Sequence, residues 1–340
     1  MRQAGSIFCL VGWFIPVPKC TAHYAPAVVI RLTDPLQVDN VKYMSRFIFA
    51  ALASISLAIP AAAQQVPGRD LLDFPLGLLA ESAPLSSRMT GGFWNPATSM
   101  LSSNARAEFG FAGLTTPQEQ GVRLDMVAGS VRIRPSVTAA LSVAQASVSD
   151  ILRTATDPQS LGGEIQYGTT LASAGVATTR GNVTAGAAAR YRWASVDAQQ
   201  SGVFALDFGA IVDRVAGTPV RVAVSSFLLT PSRSKEAPTY LAAADLPLVR
   251  RDSTFVLRGG YSFSRTDGRG REDYGFATTS YRQFDASAGV AETSVFGNHD
   301  RRWRLGLGFR YAGYTAAIGR EDGAAGIGGS TQFLITRAIR

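Results

Sequence analysis

Beyond residue 63 this chain has no cysteine, one histidine (His299) and one lysine (Lys235). Each scarcity removes a class of chemistry. Without cysteine there is no disulfide frame, no thiolate nucleophile and no thiolate metal site. A single histidine falls short of the usual zinc ligand sets, and of a base oriented by groups from separate segments. Its neighbours Asn298 and Asp300 place it in an expected turn over residues 297–302. The glycine-rich stretch 323–329 lacks the lysine and following helix of a phosphate loop. The arginines are dispersed singly rather than in blocks, which argues against a nucleic-acid partner. The composition therefore predicts no enzyme, no cofactor and no metal site.

Long apolar runs are missing as well. The run at 47–59 is shorter than the roughly 20 residues a membrane-spanning helix needs. It follows Met44-Ser45-Arg46 and leads into Pro60-Ala61-Ala62-Ala63. A basic start, an apolar centre and a small-residue end are the parts of a secretory signal peptide. We read residues 44–63 as that signal, cleaved after Ala63, and 1–43 as an upstream extension without function. Cleavage would remove Cys9 and Cys20. It would also remove five cations and two anions, lowering the net charge from +8 to +5.

What remains alternates. Trp303, Leu305, Leu307, Phe309 and Tyr311 share one face, with Arg304, Gly306, Gly308 and Arg310 on the other. Tyr191 and Trp193 alternate with Arg190 and Arg192. Phe204, Leu206 and Phe208 alternate with Ala205, Asp207 and Gly209. Leu257, Tyr261 and Phe263 oppose Arg258 and Ser262. Period two is strand geometry, because successive side chains point to opposite faces. The runs reach about 9–12 residues, the length of a tilted membrane-crossing strand rather than of a soluble sandwich strand. Aromatics gather towards strand ends, as interfacial girdles require.

Fourteen such strands can be placed within 105–340: 105–114, 122–132, 136–148, 164–179, 182–196, 200–213, 218–229, 238–248, 253–265, 272–281, 284–295, 302–311, 313–321 and 328–338. An even count suits a single-chain bacterial barrel. The predicted fold is an all-β transmembrane antiparallel barrel, preceded by a segment at 64–104 that acts as a plug. In that segment the apolar stretch 71–79 forms a short helix or an extended arm. Phe93-Trp94-Asn95-Pro96 forms an aromatic-anchored turn, since Pro96 fixes its own φ and biases Asn95 away from the helix.

Phe93-Trp94-Asn95-Pro96-Ala97 resembles the signature near the mature N-terminus of FadL-like and PorV-like outer-membrane barrels. The stretch 205–210 and the strand pattern after 302 are similar to theirs. The resemblance implies a fourteen-stranded barrel with its N-terminal segment folded into the lumen. Two functions come with it. One is a passive channel for small hydrophobic or amphipathic compounds. The other is a non-transporting barrel that binds or shuttles exported proteins for a secretion system. Expected partners are outer-membrane lipid, the barrel-assembly machinery and such a solute. The chain departs from the pattern in its reduced glycine run, Gly91-Gly92, and in ending without a terminal aromatic.

On this facing Arg190, Arg192, Asp207, Asp213, Arg258, Arg304 and Arg310 are candidate lumen residues. They form either a polar lumen neutralised by carboxylates such as Asp207 and Asp213, or a basic track for an anionic group. Leu307→Arg is expected to impair membrane assembly far more than Gly306→Ser. N-terminal sequencing of the protein from an outer-membrane fraction should begin at Gln64. A mature chain that retains residues 1–43 would contradict the export reading.

Overall fold

The computed structural model describes residues 66–86, 88, 91–100, 105–149, 151–154, 161–197, 199–230, 236–251, 254–295, 298–323 and 329–340. The expected export signal and upstream extension lie outside the described residues. Alternating sequence becomes strand throughout. The first half of the wall is β1 (Ala107–Thr115), β2 (Val122–Arg134), β3 (Val137–Val148), β6 (Tyr167–Arg180), β7 (Val183–Val196), β8 (Gln199–Asp213) and β9 (Arg221–Phe227). The second half is β10 (Thr239–Arg251), β11 (Phe255–Thr266), β12 (Gly270–Tyr281), β13 (Phe284–Val295), β14 (Asn298–Tyr311), β15 (Tyr314–Glu321) and β16 (Ser330–Ile339). Between β3 and β6 a small hairpin pairs β4 (Leu152–Thr154) with β5 (Leu161–Glu164).

The fourteen wall strands form one closed antiparallel barrel, sealed where β1 pairs with β16 from Ala107↔Ile339 to Thr115↔Thr331. Closure leaves no unpaired edge, which a hydrocarbon environment demands. The predicted strands correspond one to one with these. The largest discrepancy is at β14, expected from 302 but beginning at Asn298. His299 therefore sits in a strand and not in a turn. Its ladder to β13 continues through Ser294↔His299, and local Gly/Asn/Asp chemistry yields to that pairing.

The two rims differ. Turns 135–136, 181–182, 282–283 and 312–313 lie at the rim where β1 starts and β16 ends, and Gly181 and Gly313 take the positive φ such tight turns need. The opposite rim carries the connections 116–121, 149–166, 228–238 and 322–329. The first rim also holds the connection 214–220 and the second the short turns 197–198, 267–269 and 296–297, but the longest connections, 149–166, 228–238 and 322–329, all lie on the second, the usual asymmetry of transmembrane barrels.

Facing follows parity. Trp303, Leu305, Leu307, Phe309 and Tyr311 are all exposed, while Arg304 between them is buried. Val127, Leu141, Val143, Val176, Ile318 and Ile335 continue this apolar outer band. Near the short-turn rim Tyr281, Phe284, Tyr311 and Tyr314 project outward. Towards the other rim Tyr191, Trp193, Phe204 and Tyr261 do so. These are two aromatic girdles around an apolar waist. Among the described residues no helix is long and apolar enough to cross a membrane.

One wall glycine revises the expected contrast between faces. Alternation alone makes Gly306 a neutral lumen position, yet the Leu79 carbonyl packs against it and any Cβ there would overlap that oxygen. Leu307→Arg should block assembly, because a lipid-facing arginine costs about 2–4 kcal/mol near the bilayer midplane. Gly306→Ser should still assemble but unseat the inner segment. Heat-modifiable gel mobility reads the first effect, and protease access to residues 70–97 reads the second.

Candidate functional site

The segment 66–100 occupies the barrel interior. Only short elements form in it: 3-10 turns at Asp70–Asp73, Ala83–Leu85 and Pro96–Ser99, and one α-helical turn at Gly91–Trp94. Pro75, Pro84 and Pro96 forbid a longer helix. Its start lies at the long-connection rim, where Arg192 donates to the Val66 and Pro67 carbonyls and Tyr167 to Asp70. Its end lies towards the other rim, where Thr138, near the start of β3, donates to Met100 Sδ at 3.4 Å. The segment thus runs the length of the lumen.

Apolar packing holds its first half. Leu71, Leu72, Leu76, Leu78 and Leu79, with Phe93 and Trp94, form one buried cluster with the wall residues Leu114, Leu124, Met126, Leu171, Phe227 and Leu241. Each leucine buried this way contributes about 1.5–3 kcal/mol. The turn is fixed by polar contacts as well. The Asn95 side chain accepts from the Ala97 amide at 3.0 Å and donates to the Pro84 carbonyl at 2.7 Å, while Trp94 Nε1 donates to the Leu76 carbonyl at 3.1 Å. Gly209 and Gly186 on the wall leave room for this turn. A Cβ on the first would overlap Asn95 Oδ1, and on the second the Pro96–Ala97 backbone.

Beside the turn sits a fully buried ion pair, Arg190 with Asp207. Arg190 also donates to the Phe93 carbonyl and lies over the rings of Phe227 (4.8 Å) and Phe93 (5.2 Å). Asp207 accepts from the Leu228 amide at 2.6 Å. That bond exists because the β8–β9 ladder is interrupted. Regular pairing covers only Gly209–Asp213 against Arg221–Ser225, and Ser226 Oγ takes the Phe208 amide. Leu228 adopts a φ of 59°, so Phe227 and Leu228 are both buried, as in a bulge.

Four further clusters gather most of the remaining inward charges. Arg192 and Arg69 share Glu236, all three side chains being wholly buried. Burial pushes the Glu236 carboxyl up from its ordinary range, and Arg192 and Arg69 pull it partly back. Asp245 takes two contacts each from Arg221 and Arg258, at 2.6 and 2.9 Å. Arg304 bridges Glu272 and Glu321 and lies 4.9 Å from the Tyr274 ring, whose hydroxyl donates to the Ala80 carbonyl. Arg310 pairs with Asp285 at 2.9 Å near the short-turn rim.

Asp213 keeps inward parity and faces Arg221 directly across the ladder, its charge acting on that guanidinium. It ends β8, exposed at the rim, and none of the described salt bridges uses it. Glu236, Asp245, Glu272, Asp285 and Glu321 do the remaining neutralising with Asp207. Asp245, Glu272 and Asp285 sit at inward parity on their strands and were open to the same reading that selected Asp207. Glu236 lies in a connection, where parity has no meaning.

A cavity of about 250 Å³ remains in the short-turn half, between residues 81–88 and the wall strands β9–β16 and β1. Its lining is mainly charged and hydroxylic.

These features define a transmembrane barrel filled by its own N-terminal segment. No family model matches the sequence, and no curated protein matches it. Among solved structures the chain is similar to one described as the CymD monoaromatic hydrocarbon channel, at 10% identity and a TM-score of 0.53, covering 81% of this chain and 98% of that one. A Pseudomonas aeruginosa FadL homologue is 11% identical over 82% of this chain and 98% of its own, with a TM-score of 0.47. The first of these likenesses supports the fold.

The buried pair yields a direct test. Asp207→Ala strands the Arg190 guanidinium and should destabilise the barrel by about 3–5 kcal/mol, the usual loss when half of a buried pair is removed. Arg190→Met with Asp207→Leu should recover most of it. Unfolding followed by gel mobility across a temperature series checks this. Equal losses in the single and double variants would show that the pair is not what is being broken.

Proposed function

We propose that this protein is an outer-membrane channel for small amphipathic compounds, closed at rest by residues 66–100. One observation carries the reading. Leu114, Leu124, Met126, Leu171, Leu241 and Leu334 point inward and are covered by the inner segment. Barrel lumens are polar by default, so a water-filled pore has no use for such a lining. Below this apolar tier lies the polar cavity, so a molecule with an apolar body and a polar head meets a matching surface at each level. The likeness to a hydrocarbon channel agrees with the upper tier. Longer loops face outward in such barrels, so the inner segment would enter at the outer mouth. Nothing in the described residues favours the secretion-accessory role over this one.

Deleting residues 70–97 should leave a barrel that assembles, because the wall ladders do not include them. It should leak small ions, with conductance in planar bilayers raised several-fold over the intact protein. Unchanged conductance would defeat the channel reading.

A further inference from the structure

Charge on the outer surface of the barrel is divided unevenly between its two rims. At the short-turn rim Arg180 ends β6 at the lipid-facing parity of the exposed Val176. Arg251 ends β10 opposite Phe255, whose ring packs against the outward ring of Tyr281. Arg282 follows Tyr281 in the β12–β13 turn and lies 5.3 Å from its ring, and Arg337 of β16 lies 5.0 Å from the ring of the outward Tyr314. Arg134 completes the set at the end of β2. All five are exposed, and none enters a described salt bridge or side-chain hydrogen bond.

The carboxylates of this rim point the other way. Glu108 and Asp285 line the interior cavity, and Asp213 faces Arg221 at inward parity. Asp252 lies outside the described residues. Among the described residues, the charges on the outer side of this rim are therefore all positive. The opposite rim is mixed. There Arg123 meets Asp125 at 2.7 Å and Arg271 meets Asp273 at 2.5 Å, both pairs on the outer side, and Arg301 stands across the ladder from Glu292. Arg265 and Arg320 add two further cations, so acids and bases are interspersed. The short-turn arginines are also spread round the ring, on β16, beside β12, and on β10, β6 and β2 in turn. They form a belt at the level of the girdle of Tyr281, Phe284, Tyr311 and Tyr314.

We propose that this belt binds anionic glycerophospholipids and holds a shell of them in the leaflet on the short-turn side. Each arginine can lay its stem along the apolar outer wall and carry its guanidinium to head-group level. There the phosphodiester oxygens accept paired N–H bonds from the planar fork. Arg282 and Arg337 keep that ability while stacked on tyrosine, because the ring takes the face of the guanidinium and leaves its N–H edge open. A zwitterionic head group brings its own cation to the belt, so a net negative lipid is favoured. A protein partner would cover one sector, whereas this charge encircles the barrel and borders its lipid-facing band. A phosphate ion in water has no acyl chain to lie against that band. The inference goes beyond the proposed channel: it rests on the barrel spanning a bilayer and holds whatever crosses it.

The test is electron spin resonance of the full-length protein reconstituted in phosphatidylcholine vesicles that carry a trace of chain-labelled lipid. The immobilised fraction of the label gives the association of phosphatidylglycerol relative to phosphatidylcholine. At low salt the ratio should be about threefold or more, and about 1 M sodium chloride should bring it close to one. Arg134→Gln, Arg180→Gln, Arg251→Gln, Arg282→Gln and Arg337→Gln together should abolish the preference. Arg123→Gln, Arg265→Gln, Arg271→Gln, Arg301→Gln and Arg320→Gln remove the same charge from the opposite rim and should leave phosphatidylglycerol the preferred lipid. Inorganic phosphate should displace it no better than chloride at equal ionic strength. Equal association of the two lipids with the unaltered protein would overturn the belt. So would a preference that survives the short-turn substitutions, one lost equally with either set, or displacement by phosphate alone. Gel mobility reports assembly of each variant. Should the first set fail to assemble, Arg180→Gln with Arg337→Gln decides, and an undiminished ratio there rejects the proposal.

Discussion

A guanidinium held inside a barrel must have its charge answered inside the barrel, and much of this structure follows from that requirement. Removing an ion from water costs several kcal/mol even after relaxation, so an unpaired buried arginine is not tolerated. Arg190 is the most enclosed case. Its partner Asp207 is positioned by an amide that only a disrupted β8–β9 ladder can offer. The same disruption buries Phe227, and on Phe227 the rings of Phe93 and Trp94 rest at 5.3 and 5.0 Å. Wall irregularity, ion pair and inner segment are therefore one arrangement. Altering any part changes the desolvation balance of the others.

Glycine supplies the complementary constraint. The inner segment approaches the wall at Gly186, Gly209 and Gly306, where backbone or a short polar side chain lies where a Cβ would stand, and at Gly319, where Leu79 crowds that position. Strand interiors disfavour glycine, so its placement at these inward positions is a cost offset by contact with the segment. The leucines of 71–79 could not remain in water, and the apolar inner wall could not face it. Each covers the other.

The wall was legible because period-two alternation is a repeated signal: the parity that puts Leu305 and Leu307 in lipid also puts Arg304 inside. All fourteen wall strands could be placed that way. The limits of the reading are equally physical. Parity says which way Asp245 and Glu272 point, but not that arginines two strands apart converge on them. Gly306 reads as an empty lumen position until the Leu79 carbonyl is found against it. His299 reads as a turn residue because Gly, Asn and Asp surround it, and only the ladder to β13 shows that the strand runs on. Glu236 carried no signal, since its role depends on a connection folding back over Arg69 and Arg192. Local pattern predicts facing, whereas partnership across the lumen depends on closure.

In the proposed channel the inner segment is a movable stopper: passage needs it to shift, and its contacts are what resist the shift. A reversible covalent lock tests this most directly. The Leu79 amide meets the Gln332 side chain of β16 at 3.5 Å, so Leu79→Cys with Gln332→Cys can pin the segment to the wall without adding a Cβ to a wall glycine, and the chain after residue 63 brings no competing thiol. Flux of an amphipathic dye into proteoliposomes should be abolished when the pair is oxidised and return to the unaltered level on reduction. Equal, non-zero flux in both states would show that solutes pass without moving the segment, and would contradict the account.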